Sequence, residues 1–430
     1  MIALSRVLGL WALLPGMLLA QNEQSLPDPL TLEYAVQLAN DDHHPRLIQA
    51  DARLLEADAE LRQAQAGYAM ELDLKLQAAF IEPSELAFNQ NQNDSIAMLQ
   101  LRKPLYDFGQ TGNKTEAAEE LRQAVEHDRG YVVQQRKIDI SRHYFQVLLA
   151  DLKYAWDNEA MSIAFIRYDQ AQDRHALGEI SDIDLLSAQN NYEEVRHRRY
   201  VSESSQYLTR VALAEVIHRP GQLSSNLTIP DFNDWHYELA ESSLLVEKSL
   251  QQNPRLKLQN AQFSASYKRL ESARKQNRPR LEAGLEYAEY ARDTPSRDEW
   301  RAELNLTIPL LEHEGMQAEI AKARAHWLSD QARLLGMQTE VRQRVLSLWQ
   351  QIYLLKTQRQ QRRVAMELRE LELDRNRAMY EMELKTDLGN AMVAVSEIRY
   401  LQAKTEFELA LAWMELELVL GNKREQGRVQ

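Results

Sequence analysis

The sequence predicts a mostly α-helical chain that carries a small β-sheet, with the whole arrangement built twice. Three observations predict it. Proline is absent between Leu105 and Arg219 and again after Pro309. Proline breaks helix interiors, so each of these tracts can hold a very long helix. Four stretches of about ten residues alternate apolar and polar side chains with period two, the pattern of strands with one apolar and one polar face. The chain also resembles itself at an offset of about two hundred residues, the long-period signal of a duplication.

Residues 1–20, MIALSRVLGLWALLPGMLLA, set Arg6 before an apolar run from Val7 to Ala20. They read as a secretory signal peptide cleaved after Ala20, although Leu18 stands where a smaller residue is usual. The other reading is an N-terminal membrane anchor, for which the run is short. No later stretch is apolar for long enough to form a transmembrane helix.

The first repeat, 21–217, opens on a helix over about 31–66 that contains PRL at Pro45. A strand over about 70–80, MELDLKLQAAF, sets Leu72, Leu74, Leu76, Ala78 and Phe80 against Glu71, Asp73, Lys75 and Gln77. After a polar loop, a second strand over about 95–106 places Ala97, Leu99 and Leu101 on one face. KPLYDFGQ (103–110) leads into a helix over 110–176, roughly 100 Å long at 1.5 Å per residue. Its Ile140, Tyr144, Leu148 and Leu152 share a face, with Val147 beside them. The polar segment LGEISDIDLLSAQ (177–189) turns the chain into a return helix over about 184–218. Residues 218–235, HRPGQLSSNLTIPDFNDW, form a linker rich in turn formers.

The second repeat, 236–421, restates this order. PRL recurs at Pro254. Strands follow over about 280–290 and 300–308. The first sets Leu281, Ala283, Leu285 and Tyr287 against Glu282 and Glu286. The second sets Trp300, Ala302, Leu304, Leu306 and Ile308 against Arg301, Glu303, Asn305 and Thr307. IPLLEHEG (308–315) matches KPLYDFGQ. In the long helix beyond it, Val341, Val345, Leu348, Ile352 and Leu355 step by four and three, as a coiled-coil seam does. MELKTDLGNAMVA (382–394) is the second polar break, and 422–430 is a C-terminal tail.

Length and alternation match these strands to those of transmembrane β-barrels. Tyr68, Phe80, Tyr106, Phe108, Tyr287, Tyr290 and Trp300 cluster at their ends, where an aromatic girdle lies. On this reading Leu72, Leu74, Leu76, Leu99, Leu101, Leu285, Leu304 and Leu306 face lipid. The alternative is a soluble pair of hairpins packed by one face onto the helices. A membrane sheet leaves no edge unpaired, and the smallest barrels have about eight strands, so four strands require further copies of the chain. Eight strands and twelve both satisfy that geometry.

Composition narrows the function classes. The formal net charge of -13 argues against nucleic acid as partner. Loss of Arg6 with the signal peptide takes it from -13 to -14. Acidic side chains facing a lumen favour cations over anions. The absence of cysteine removes disulfides, thiolate metal sites, a Cys nucleophile and a thioether lipid anchor. No nucleophile–base spacing, phosphate loop or metal-ligand cluster stands out, so neither an enzyme nor a cofactor or metal site is expected. His43-His44 before Pro45 reads as structural. RHRRY (196–200) and RQQRR (359–363) read as solvated or salt-bridged helix faces. Asp182 and Asp184 fit turn and cap chemistry better than a calcium site.

Together, the duplicated halves, the PRL helix starts, the strand pairs, KPLYDFG and a long helical hairpin with LGEISDIDLL at its tip resemble the outer-membrane efflux protein family of TolC-like channels. The resemblance covers essentially the whole mature chain. It implies a homotrimer with a twelve-stranded β-barrel in outer-membrane lipid and a twelve-helix α-barrel crossing the periplasm. It also implies docking to a periplasmic adaptor (membrane fusion) protein and to an inner-membrane transporter of the RND, ABC or MFS type, in efflux or type I secretion. Family tips carry a Gly, an Asp six residues on, and a small or polar residue three further. By that spacing Gly178, Asp184 and Ser187 match the first tip, and Glu381, Asp387 and Asn390 the second. The resemblance then makes Asp387 and Asn390 the pore gate at the periplasmic end. Leu177, Gly178, Asp184 and Glu381 become adaptor-contacting positions. Asn390 stands where the family pattern has a second acid, and Glu381 where it has glycine. The reading from a different class is an exported soluble periplasmic coiled-coil scaffold or adaptor.

Overall fold

The computed structural model describes residues 26–41, 43–231, 238–310, 314–384 and 386–422. The expected signal peptide, linker residues 232–235, residues 311–313 of IPLLEHEG and tail residues 423–430 lie outside the described residues.

The same order of elements runs twice. In the first pass α1 (Leu32–Gln37) and α2 (Pro45–Gln65) precede β1 (Glu71–Gln77) and β2 (Ile96–Tyr106). Then come α3 (Gln110–Ala176) and α4 (Asp182–Val216). In the second, α5 (Ser242–Gln252) and α6 (Pro254–Arg274) precede β3 (Arg280–Tyr290) and β4 (Trp300–Thr307). Then come α7 (Glu314–Glu381) and α8 (Leu388–Val419). With 67 and 68 residues, α3 and α7 each extend roughly 100 Å.

The opening helix expected over 31–66 is two helices. Pro45 has no N–H to give, and its ring excludes a helical carbonyl four residues back, so the chain is extended at His44 and restarts. The His44 ring accepts the Arg46 N–H as N-cap at 3.2 Å. Asn253 repeats the device, its side chain accepting the Leu256 N–H at 3.0 Å ahead of Pro254. KPLYDFGQ is a third start signal. Phe108 and Gly109 both take positive φ, and the Asp107 carboxylate accepts the N–H groups of Gly109 and Thr111 and the Tyr68 hydroxyl. Burial alone would raise the Asp107 pKa; these hydrogen bonds outweigh it and hold the group below the usual carboxylate value.

The four strands make one antiparallel sheet in the order β1-β2-β3-β4. Pairing is therefore not confined to each repeat: β2 and β3 join across the two passes over Ile96–Tyr106 and Leu281–Tyr290, with one irregularity between Pro104 and Tyr106. The β1 strand stops at Gln77, short of the expected residue 80. Beyond it Ala79 N–H meets the Ser95 hydroxyl instead of a ladder carbonyl, and pairing resumes only as a bridge at Phe80–Asn93.

The core sits midway along the helices. In one cluster Leu30, Leu32, Ala35 and Val36 pack on Ile140, Tyr144, Phe145, Val147 and Leu148 of α3, with Phe407 of α8. Phe145 and Phe407 stack at 4.6 Å. The buried Tyr144 hydroxyl lies 2.8 Å from the Leu30 carbonyl and 2.6 Å from that of Thr228, pinning the N-terminal segment to the linker. In the second cluster Val345, Leu348, Ile352 and Leu355 of α7 pack on Leu409, Trp413 and Leu416 of α8. All five residues of the expected α7 seam are buried. Each fully buried large apolar side chain stabilises by about 1.5–3 kcal/mol, so this middle belt anchors both the sheet above and the tips below.

Candidate functional site

Two regions carry chemistry that the core does not use: the sheet face and the two helical tips. On the sheet, register sets one row as Leu74, Leu99, Tyr287 and Trp300, and the next as Leu72, Leu101, Leu285 and Ala302. Leu76, Leu304 and Leu306 lie on the same face. All eight leucines expected to face lipid thus share one surface. Nothing among the described residues covers it: Leu74 and Leu304 are each 65% exposed. The opposite face is polar, and Arg102 reaches Asp73 there at 3.0 Å. The hydrogen-bonding edges of β1 and β4 have no strand partner among the described residues. Of the expected aromatic residues, Tyr106 and Phe108 touch at 4.9 Å and Tyr287 and Trp300 at 4.7 Å. Among the described residues no helix is long and apolar enough to cross a membrane.

At the first tip α3 ends in a Schellman motif. Gly178, at φ 74, gives its N–H to His175, and Glu179 gives its own to Arg174. Then Ser181 and Asp184 form a reciprocal capping box at the start of α4. The Ser181 hydroxyl and N–H hold the Asp184 carboxyl below its usual value. Leu177 is 74% exposed beside them. Asp182 pairs with His175 at 2.6 Å, so the D-x-D pair serves caps and turns.

The second tip repeats this geometry in a different register. Here Glu383 is the left-handed residue, at φ 58, and Glu383 and Leu384 give the Schellman bonds to Tyr380 and Met379. Glu381 is simply the last residue of α7. The conformational counterpart of Gly178 is therefore Glu383, two residues beyond the position that sequence spacing matched. Asp387 is the N-cap of α8, so its counterpart is Ser181, and Asn390 stands at the position of Asp184. Asp387 accepts the N–H of Asn390 at 3.2 Å and its side-chain amide at 2.7 Å.

Asp387 also makes a contact that spacing alone did not find, to Arg167 of α3 at 2.9 Å. Gly389 seats against Ile163 so closely that a Cβ would lie 2.8 Å from its Cδ1. Ser396 hydrogen-bonds to Glu159. The start of α8 is thus docked on α3, and a tip residue of the second repeat is tied to the first.

The remaining candidates are structural. RHRRY is paired within its own hairpin, Arg196 to Glu193 at 3.3 Å and Arg199 to Glu203 at 3.1 Å. In RQQRR, Arg359 reaches Glu406 at 2.7 Å. His44 is packed beside His218, at 5.7 Å between rings. Burial, followed by the nearby Arg136, His218 and Arg46, pushes its pKa down to about 4. Among the described residues no group of three His, Asp or Glu is placed to hold a metal ion.

Known proteins share this architecture. A family model described as outer membrane efflux protein matches residues 39–217. Against curated proteins no sequence match is found. A crystal structure of a membrane protein from Pseudomonas aeruginosa is similar at 17% identity with a TM-score of 0.74, over 92% of this chain and 91% of that one. The outer membrane protein VceC from Vibrio cholerae is similar at 18% identity and TM-score 0.71, over 91% of this chain and 96% of its own. The CmeC outer membrane channel of Campylobacter jejuni is similar at 16% identity and TM-score 0.70, over 94% and 90%. The sequence match falls on the first repeat and the structural match on both. Together they relate residues 39–217 to the outer membrane efflux proteins by sequence and give the chain the fold of these outer membrane channel structures.

Proposed function

We propose that the chain is the exit duct of a tripartite efflux pump or type I secretion system. Three copies close their four-stranded sheets into a twelve-stranded outer-membrane barrel, and their helices continue it as a twelve-helix periplasmic tube. In each copy 21–217 and 236–421 act as the two repeats, joined by 218–235. The observation that carries this reading is the sheet: one face is leucine-rich and exposed, with Lys103 and Glu289 in its outer rows, the other is polar and charged, and both edges lack a strand partner among the described residues. A soluble scaffold would have packed those leucines onto its own helices. Such a face is stable against lipid, and unpaired edges in lipid must find strands in further copies.

In this duct the tips are the periplasmic mouth. Leu177, Gly178, Asp184 and Glu381 form the surface that a periplasmic adaptor meets, above an inner-membrane transporter. Asp387 and Asn390 line the entrance, and the Arg167–Asp387 pair holds it narrow. The duct binds no cofactor; polar residues lining the lumen carry the cargo. The test is fractionation followed by reconstitution. The protein is expected in outer membranes, soluble only in detergent, with the mass of three chains, and conducting ions in planar bilayers. Release with the periplasmic contents as a soluble monomer would sink the proposal.

A further inference from the structure

We infer that Glu415, midway along the tube, is an ionic pivot that exchanges Arg344 with Glu340 as the mouth opens. The inference rests on the channel reading. Glu415 is the fifth residue from the end of α8, where a carboxylate stands near the negative end of the helix dipole, and the last turn of α8 holds no basic residue. Its counter-charges come from the two long helices that flank α8. Arg142 of α3 reaches one carboxylate oxygen at 2.8 Å, and Arg344 of α7 bonds the other. The second arm of Arg142 holds Asp139 at 2.8 Å, and Asp139 in turn holds Arg46 of α2 at 2.6 Å. One chain of charges therefore ties α2, α3, α8 and α7 together, and within it Glu415 is the link between the two long helices.

Three features suit this joint to switching. The Glu415 side chain is 22% exposed and Arg344 52%, so the α7 arm can leave without uncovering a buried charge. A cavity of about 450 Å³ opens beside it, lined by Arg142, Glu415 and Arg344 together with Arg255 and Glu340. Glu340 has no ion-pair partner among the described residues, and it sits four residues before Arg344 on α7, the favourable order for an i,i+4 pair. The same arginine thus has two acceptors, one across to α8 and one on its own helix. The joint lies about 40 Å of helix above Asp387, far enough for a small rotation here to become a wide swing at the tip. Pairing with Glu415 clamps α7 to α8 and α3 and keeps the mouth narrow. Pairing with Glu340 frees α7.

The test uses opposing variants of the full-length protein. Mean open probability is read in planar bilayers at 0.1 M salt, with uptake of a bulky antibiotic by intact cells as the second readout. Glu415→Gln and Arg344→Gln are expected to raise open probability about tenfold, the ratio that about 1.4 kcal/mol sets. Glu340→Gln removes the open-state acceptor and is expected to lower it. Arg46→Gln breaks an ion pair of the same network without touching Glu415, and is expected to change neither readout. A purely structural network would lose thermal stability in all four variants and move the gate in none, or all in one direction. Either result overturns the pivot, as does a conducting wild type whose opening is unchanged by both Glu415→Gln and Arg344→Gln. Wild-type trimers that insert without conducting overturn the channel reading, and the pivot with it.

Discussion

The ion pair between Arg167 and Asp387 makes a quantitative prediction about the mouth. The two side chains meet at 2.9 Å but stay 46% and 58% exposed, so the pair is of the solvent-screened kind, worth about 0.2–1 kcal/mol. In the proposed trimer, three copies that move together bring the total to about 1.5 kcal/mol, close to a tenfold change in the closed-to-open ratio. Asp387 has a second role as N-cap of α8. Asparagine caps as well as aspartate, whereas alanine forfeits about 1 kcal/mol. Asp387→Asn therefore isolates the charge. It is expected to match Arg167→Gln, each raising mean conductance at low salt, and the double variant should add nothing further. Asp387→Ala should open the pore more than either. Asp387→Asn should also weaken block by divalent cations, because it removes a carboxylate from each copy. Between 0.1 M and 1 M salt the screening length falls from about 10 Å to about 3 Å, so the difference from wild type should shrink. The assay is single-channel recording across that salt range. An asparagine variant identical to wild type at 0.1 M, beside an alanine variant that opens, would show that the cap matters and the charge does not.

Three further outcomes are expected. Leu74→Asp places a carboxylate in the exposed apolar row and should abolish assembly in outer membranes, measured as trimer yield, while Asp73→Asn on the polar face leaves it intact. His44 has a folded pKa of about 4 against an ordinary 6.5, so the unfolded chain takes the proton first. Its contribution to stability is complete above pH 6.5 and is lost as pH falls from there toward 4; the midpoint of thermal unfolding should drop over that window, and His44→Asn, which still caps α2, should flatten the drop. Glu383→Gly removes a side chain from a left-handed backbone that costs about 1–2 kcal/mol, and should slow hydrogen exchange of the Leu384 amide at the second tip.

Local signals were legible wherever they needed only neighbours. The two proline-free tracts gave helices whose first repeat ends at the expected Gln110 and Ala176, and period-two alternation located β3 to the residue. The Pro45 break was equally local, and a helix drawn through it conflicts with the missing N–H. Spacing misled at the second tip because four residues separate Glu383 from its N-cap Asp387, where three separate Gly178 from Ser181. What no local pattern could show are contacts made across the duplication. The β2–β3 ladder, Arg167 with Asp387 and Arg142 with Glu415 join residues between 175 and 273 positions apart, and each residue alone reads as a surface charge or a strand edge.

The parity of the sheet has a consequence for assembly. Four antiparallel strands leave β1 and β4 running in opposite directions at the two edges. When β4 of one copy meets β1 of the next, the alternation continues unbroken, and it does so for any number of copies. An odd count would force one parallel seam into every junction. The sheet therefore accepts rings of any size equally, and in the proposed duct the number of chains is selected by the helices, where α4 and α7 are the outer flanks of the order α4-α3-α8-α7 in each copy. Substitutions that alter copy number should accordingly map to those flanks and spare the strands.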